Sequence, residues 1–206
     1  IDVIEEYVRP ARYVENNKII IKDALTDVEN IDFIECGILE AFNTDGLRTL
    51  IKTMNISNMI EKTMRHKGSV KYLKALKKTG FFNTKEIEID GKKISPIKIS
   101  EKLLLPIWKL NENDEEFTAM RILIKGIENN VEKKYEYNLY DEYDKKTKTS
   151  SMARTTGYTC TAVANLILEK KFKKTGIIPP EYIGEEKKFL NYIFIYLIKR
   201  GVKYNN

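Results

Sequence analysis

Histidine is almost absent from this 206-residue sequence, His66 being the only one, and the two cysteines, Cys36 and Cys160, lie far apart and form no CxxC pair. Without CxxC or HExxH spacing, the ligand sets that usually hold zinc are missing, and the cysteines read as free thiols of a protein kept in a reducing, cytoplasmic setting. None of the 10 glycines stands two residues from another. Both the Gly-x-Gly-x-x-Gly dinucleotide fingerprint and the phosphate-binding P-loop are thereby excluded, so no nucleotide cofactor is expected on this chain by itself. No GxSxG elbow supports serine-nucleophile chemistry. No apolar run approaches the roughly 20 residues that span a bilayer, and no signal-peptide pattern stands at the start. The opening Ile1-Asp2-Val3 reads as the middle of a longer protein.

An excess of one charge is lacking too. The 36 basic residues are interspersed with 30 acidic ones, giving a net charge of +6 without a continuous basic stripe. That pattern argues against nucleic acid as partner. A non-catalytic basic binding module is the alternative that the net charge and 12 tyrosines permit, and steep salt dependence of nucleic-acid affinity would reveal it.

What is present suits one α+β domain, with 42% hydrophobic residues to fill a core. Arg12-Tyr13-Val14 and Lys18-Ile19-Ile20-Ile21 around Asn16-Asn17 predict a hairpin, as do Ile87-Glu88-Ile89 and Lys93-Ile94 around Asp90-Gly91. Gly37 to Phe42 predicts a strand ending at the turn residues Asn43-Thr44-Asp45-Gly46, and a helix follows through Leu47, Leu50, Ile51 and Met54. Alternation over Asn58 to Arg65 predicts a further strand, and Val70, Leu73 and Leu76 a helix ended by Gly80. Ile99 to Trp108 predicts a short buried helix, capped by Ser100 and bent or ended by Pro106. Phe117–Ile127 and Lys133–Tyr143 predict an antiparallel pair with one wet face, turning at Glu128-Asn129-Asn130. Ser150 to Met152 is expected to close the sheet. Thr161 to Lys171 and Glu185 to Arg200 predict the last helices, the latter with a broad apolar face.

The segment Thr149 to Cys160, Thr-Ser-Ser-Met-Ala-Arg-Thr-Thr-Gly-Tyr-Thr-Cys, draws the eye. Its small hydroxyls end at Gly157 beside an expected helix start, where unpaired N–H groups favour a carboxylate or phosphate. A hydroxyl-rich strand end that caps its own helix is the plainer alternative.

The run SSMARTTGY, followed by Lys174-Thr175-Gly176-Ile177-Ile178-Pro179-Pro180-Glu181, closely resembles the C-terminal part of saccharopine dehydrogenases, the glutamate-forming type and its bacterial relatives. Ile4-Glu5-Glu6-Tyr7 with Ala11-Arg12-Tyr13 and Asn17-Lys18, the stretch Glu40 to Leu47, Thr63-Met64-Arg65-His66-Lys67-Gly68 and Gly80-Phe81-Phe82 extend the resemblance over nearly the whole chain. His66 replaces the family's common tyrosine, and Thr159-Cys160 stands where Pro-Ala or a similar pair is usual.

The resemblance implies a mixed, largely antiparallel sheet with helices over one face, similar to the second domain of glyceraldehyde-3-phosphate dehydrogenase-like oxidoreductases. Residues 1–156 would form a substrate-binding and dimerisation domain, and residues 157–206 helices that return toward an N-terminal Rossmann domain. That domain, absent from this sequence, would bind NAD or NADP. The substrate implied is a condensed pair of amino acids bearing several carboxylates, and the reaction a hydride transfer at the carbon on the bridging nitrogen. A reductase of another imine, such as a carboxynorspermidine-type enzyme, is the alternative within the class. On this view Arg65 is the first candidate carboxylate clamp, because a guanidinium offers two parallel donors; a sheet-edge ion pair is the competing role. Ser151, Thr155 and Thr156 would donate hydroxyls, and the N–H groups near Gly157 would receive a second anionic end. Asn43, Thr44 and Asp45 would touch substrate from a strand end or simply cap the turn. His66 is a candidate proton shuttle and otherwise structural. The fragment alone is expected to be inactive. Exposed apolar surface on the sheet and helices points to a homodimer.

Overall fold

The computed structural model describes residues 2–111 and 114–205 and folds as two compact units, Ile1–Lys109 and Leu110–Asn206. The architecture is α+β, and every strand pairing among the described residues is antiparallel. The strands are divided among four small sheets where a single sheet was expected.

The first unit opens with one helical turn, α1 (Asp2–Glu5), and the hairpin β1 (Ala11–Glu15) and β2 (Lys18–Lys22). Asn16 and Asn17 both take left-handed backbone at φ 50° and 63°, which a tight two-residue hairpin turn requires and asparagine tolerates. Then come β3 (Glu29–Phe33), β4 (Gly37–Asn43), the single turn α2 (Leu50–Thr53) and β5 (Lys62–His66). Strands β3, β4 and β5 form a three-stranded sheet with β4 in the middle. The helix expected through Leu47 and Met54 is reduced to that one turn. Arg48 is left-handed at φ 49° and Met54 is already extended, so neither end can propagate.

Next are α3 (Ser69–Lys78), the small hairpin β6 (Ile87–Ile89) and β7 (Lys92–Ile94), and α4 (Pro96–Trp108). Helix α4 starts three residues earlier than expected, at a proline suited to a first turn. Ser100 does not cap it; its hydroxyl, inside the helix, donates to the Phe81 carbonyl at 2.7 Å. Nor is α4 a buried helix: Ile97 is covered, whereas Leu103 and Ile107 are exposed. The unit's core is Ile4, Tyr7, Leu25, Phe42, Val70, Leu73, Phe82 and Ile97. Tyr7 stands centrally, its ring about 6 Å from those of Phe42, Phe82 and Trp108.

The second unit is built on a long two-stranded ribbon, β8 (Phe117–Glu128) and β9 (Val131–Glu142), turning at Asn129 and Asn130, both left-handed. The expectation of one wet face holds only near the root. From Arg121 to Lys134 every residue is exposed, Ile122, Leu123 and Ile124 included, because the unit's helices pack closely on the root and beyond it leave an open apolar cleft bordered by Ile122 and Ile124. Ser151 and Met152, expected to close the sheet, are helical instead. A π-helical turn (Ala153–Gly157) joins them to α5 (Tyr158–Leu168), giving one continuous helical stretch. Then follow α6 (Pro180–Gly184), α7 (Lys187–Ile198) and β10 (Tyr204–Asn205), which pairs with β9. Leu166, Phe172, Ile183 and Phe189 form one core, and Leu139, Leu197 and Val202 a second at the ribbon's root.

Arg154 ties this unit together. Its guanidinium forms a two-pronged pair with Asp141 on β9 at 2.9 and 3.1 Å, a third bond to Asp144 at 2.9 Å and a fourth to the Arg200 carbonyl at 3.0 Å. Both Arg154 and Asp141 are buried. Removing one partner of such a pair strands the other charge without water, a loss of about 3–5 kcal/mol. Arg154→Leu is therefore expected to unfold the second unit at markedly lower denaturant, and Arg154→Lys, which keeps the charge but not the fork, to lose part of that stability. Equilibrium urea unfolding of the three proteins measures it; equal midpoints would refute the assignment.

Candidate functional site

The register of the first unit's sheet builds a site at the end of its central strand. Asn43, the last residue of β4, lies opposite Lys62, the first of β5. The segment Thr44-Asp45-Gly46 leaving β4 therefore runs beside Glu61, which immediately precedes β5. Thr44 Oγ1 and the Gly46 amide both donate to Glu61 Oε2, at 2.7 and 2.9 Å. Thr63 Oγ1 lies 2.9 Å from Thr44 Oγ1 and completes the chain of hydroxyls. Gly46 is needed for contact, not for turning: a Cβ there would lie 2.2 Å from Glu61 Cδ.

Asp45 is held from the other side. Arg12 on β1 reaches it with Nε at 2.8 Å, Nη2 at 2.9 Å and its backbone amide at 3.2 Å. Asn43 turns away from this group and fastens the 23–27 loop, donating to Thr26 Oγ1 at 2.9 Å and Asp27 at 3.0 Å. Thus Thr44 and Asp45 line the site, and Asn43 locks its floor. An open cleft of about 560 Å³ lies over them, bordered also by Glu6, Arg9, Gly46, Arg48, Glu61 and Thr63.

The three carboxylates around this cleft differ in electrostatic state. The Arg12 hydrogen bonds hold the Asp45 carboxyl below its ordinary range, against the opposing effect of burial. Burial pushes Glu61 above its ordinary range, and the charges of Glu6 and Asp45 push the same way, while the hydrogen bonds from Thr44 and Gly46 only partly offset this. Glu6 faces a cation, Arg65 Nη2, at 3.2 Å.

Of the two arginines at the rim, Arg9 is paired with Glu5. Arg48 is exposed and has no hydrogen bond or ion pair among the described residues. Its left-handed backbone carries a penalty of about 1–2 kcal/mol for a residue with a Cβ. An unpaired guanidinium on a strained turn beside two carboxylates and a row of hydroxyls has the make-up of a recognition group.

Arg65, the first candidate from sequence, is occupied within the protein. Besides Glu6, it donates from Nε to the Tyr7 hydroxyl at 3.3 Å and from Nη1 to the Met64 carbonyl at 3.0 Å. It reaches the cleft only through Glu6. His66 ends β5 opposite Leu39, exposed, and does not border the cleft.

Ser151, Thr155, Thr156 and Gly157 belong to the second unit. Gly157 has interior helical backbone, φ −67° and ψ −39°, and the following Tyr158 amide bonds the Arg154 carbonyl. The free helix start expected there is not formed, because the helical stretch begins at Ser151. At that true start an anion is in place, the protein's own Glu116, which accepts from both the amide and the hydroxyl of buried Ser151. Thr155 spends its hydroxyl on the Ser151 carbonyl at 2.9 Å, and Thr156 is exposed on the helix surface. Sequence reasoning passed over Glu61, Arg48, Glu6 and Arg12. Arg48 stood in the open, two residues beyond Gly46 in the turn already singled out. Glu61 looked like any polar residue of an alternating strand. Among the described residues no group of histidine, cysteine and carboxylate side chains could hold a metal ion, and no helix is long and apolar enough to cross a membrane.

The opposed states of Asp45 and Glu61 have opposite consequences for stability. A depressed carboxyl stabilises the fold above its unfolded pKa and loses that contribution as pH falls through its folded value; a raised one does the reverse. Asp45→Asn is expected to lose about 1–2 kcal/mol at pH 7, two charge-assisted hydrogen bonds discounted for a 41% exposed Arg12 side chain, and the gap to wild type closes at acid pH. Glu61→Gln is expected to be as stable as wild type or more so at pH 7 and to fall behind it as the pH drops toward 4. Urea unfolding at both pH values checks this, and parallel losses in the two variants would contradict it.

Compared with known protein families, residues 1–202 match the model described as the saccharopine dehydrogenase C-terminal domain.

Proposed function

The chain belongs to the saccharopine dehydrogenase C-terminal domain family, and from that premise we propose that it is the substrate-holding part of an NAD(P)-dependent oxidoreductase acting on a CH–NH bond. The substrate in this reading is saccharopine, in which glutamate and the aminoadipate semialdehyde skeleton share one nitrogen. The observation that carries the reading is Arg48, a guanidinium near the Asp45 charge but with no hydrogen bond or ion pair among the described residues, at the rim of a cleft lined by Thr44, Asp45, Gly46, Glu61 and Thr63. Its fork suits a substrate carboxylate. Arg65 contributes by orienting Glu6, and the hydroxyls of Thr44 and Thr63 add neutral polarity. The nicotinamide cofactor is held by a Rossmann domain outside this sequence, since no Gly-x-Gly occurs here. The exposed apolar residues of the β8–β9 ribbon, Ile122, Leu123, Ile124, Ile127 and Val131, favour a homodimer.

Titration calorimetry of this chain with saccharopine tests the site. Wild type is expected to bind, Arg48→Ala to bind about ten- to a hundred-fold more weakly with an unchanged melting temperature, and Arg48→Lys to fall between them. Unchanged affinity in Arg48→Ala would remove the arginine from the site. Fluorescence titration with NADH and NADPH is expected to give no saturable micromolar binding, and sedimentation to give a dimer. Saturable cofactor binding would overturn the assignment of the cofactor to another domain, and a monomer at high concentration the assembly.

A further inference from the structure

Of the three carboxylates that border the cleft, one has no cation bonded to it among the described residues. Asp45 is locked to Arg12 and Glu6 faces Arg65. Glu61 is held only by neutral donors, Thr44 Oγ1 and the Gly46 amide, both on Oε2. Its other oxygen, Oε1, has no hydrogen bond among the described residues. The seat is built closely around this carboxyl, because any side chain at position 46 would displace it. One oxygen fixed and one free is the arrangement of a group positioned to exchange a proton with something in the cleft.

We propose that Glu61 is the proton-transfer group of the reaction, resting on the reading that this cleft holds a secondary-amine substrate. In the oxidative direction Glu61 Oε1 takes a proton from the substrate's bridging secondary ammonium. The freed nitrogen lone pair can then form the C=N bond as the adjacent carbon loses hydride; an oxidised nicotinamide bound beside the substrate would accept that hydride with both electrons. Water adds to the iminium carbon, and the C–N bond breaks to release a carbonyl compound and a primary amine. In the reductive direction Glu61 returns the proton to nitrogen as the hydride arrives at carbon.

The surroundings suit a group that must alternate between charged and neutral forms. Burial and the facing carboxylates of Glu6 and Asp45 disfavour its charge, and Thr44 and Gly46 favour it. Burial, and after it the charge of Glu61, pushes Tyr13 of β1 further into its neutral form. Arg9 and Arg48 are the cations bordering the same cleft. Neighbouring carboxylates driven in opposite directions suit a division of roles, Asp45 favoured in its charged form and Glu61 disfavoured in it.

The test is the pH dependence of saccharopine oxidation by the full-length enzyme that carries this domain. Wild-type kcat/KM is expected to fall on the acid side as Glu61 becomes protonated. Glu61→Gln should lose about a hundred- to ten-thousand-fold in kcat with KM within about three-fold, and should lose that acid limb. Thr44→Val, which removes a donor that favours the carboxylate, should move the limb to higher pH, a shift that a merely structural role would not produce. Glu61→Gln retaining kcat within ten-fold, or a limb unmoved in Thr44→Val, would overturn the proposal while leaving the substrate assignment intact. A wild-type enzyme that binds nicotinamide cofactor but does not oxidise saccharopine would overturn the substrate assignment and the proposal with it.

Discussion

Everything at the cleft depends on the contact between the Glu61 carboxyl and the bare α-carbon of Gly46. That contact exists because β4 and β5 are paired with Asn43 level with Lys62. A slip of one residue would put Glu61 on the other face of the sheet and leave Thr44 Oγ1 and the Gly46 amide without an acceptor. The register is set by apolar residues on the same strand that take no part in the chemistry: Ala41 and Phe42 on β4 are buried, and Phe42 packs in the core around Tyr7. Hydrophobic burial thus fixes where a polar group stands, and the polar group in turn decides what the cleft recognises.

The sequence made the hairpins legible because their turns are written in local chemistry. Asn16-Asn17, Asp90-Gly91 and Asn129-Asn130 all adopt the left-handed backbone that their residue types permit, and the flanking alternation gives the strands. It misled where local composition was ambiguous. Hydroxyls at Ser150, Ser151, Thr155 and Thr156 look extended on propensity grounds, yet tertiary bonds donated by Ser151 to Glu116 and by Arg154 to Asp141 hold this segment in a helix. The partners stand 35 and 13 residues upstream, and nothing in the local composition of the segment points to them. The exposure of α4 was hidden for a similar reason, since an apolar run says that burial is favourable without saying what covers it.

Arginines show the same division between type and place. Arg65 and Arg154 both stand in the most distinctive motifs, and both turn out to be held by internal acceptors, Glu6 and Tyr7 for the first, Asp141 and Asp144 for the second. Arg48, in a motif just as visible, has no hydrogen-bond acceptor among the described residues. Sequence shows which residues can grip an anion; only the fold shows which have already done so. The candidate carboxyl at Glu61 was less legible still, because its distinction is a missing cation and a missing Cβ, neither of which is a property of the residue itself.

The β8–β9 ribbon is anchored at one end only. Its root carries Leu139 into the core, and β10 pairs with β9 there, while Ile122 and Ile124 border an apolar cleft with α5, α6 and α7 and every residue from Lys125 through the turn to Lys134 is exposed. With a rise of about 3.3 Å per residue, the ribbon from Arg121 to its tip at Glu128 is about 25 Å long. Such an arm works as a lever: a rotation of about five degrees at the root carries the tip through about 2 Å, enough to exchange one set of side-chain contacts for another. A partner that grips the tip would therefore sense small repacking around Leu139 and Val202, and would resist it with the mechanical advantage of the whole arm.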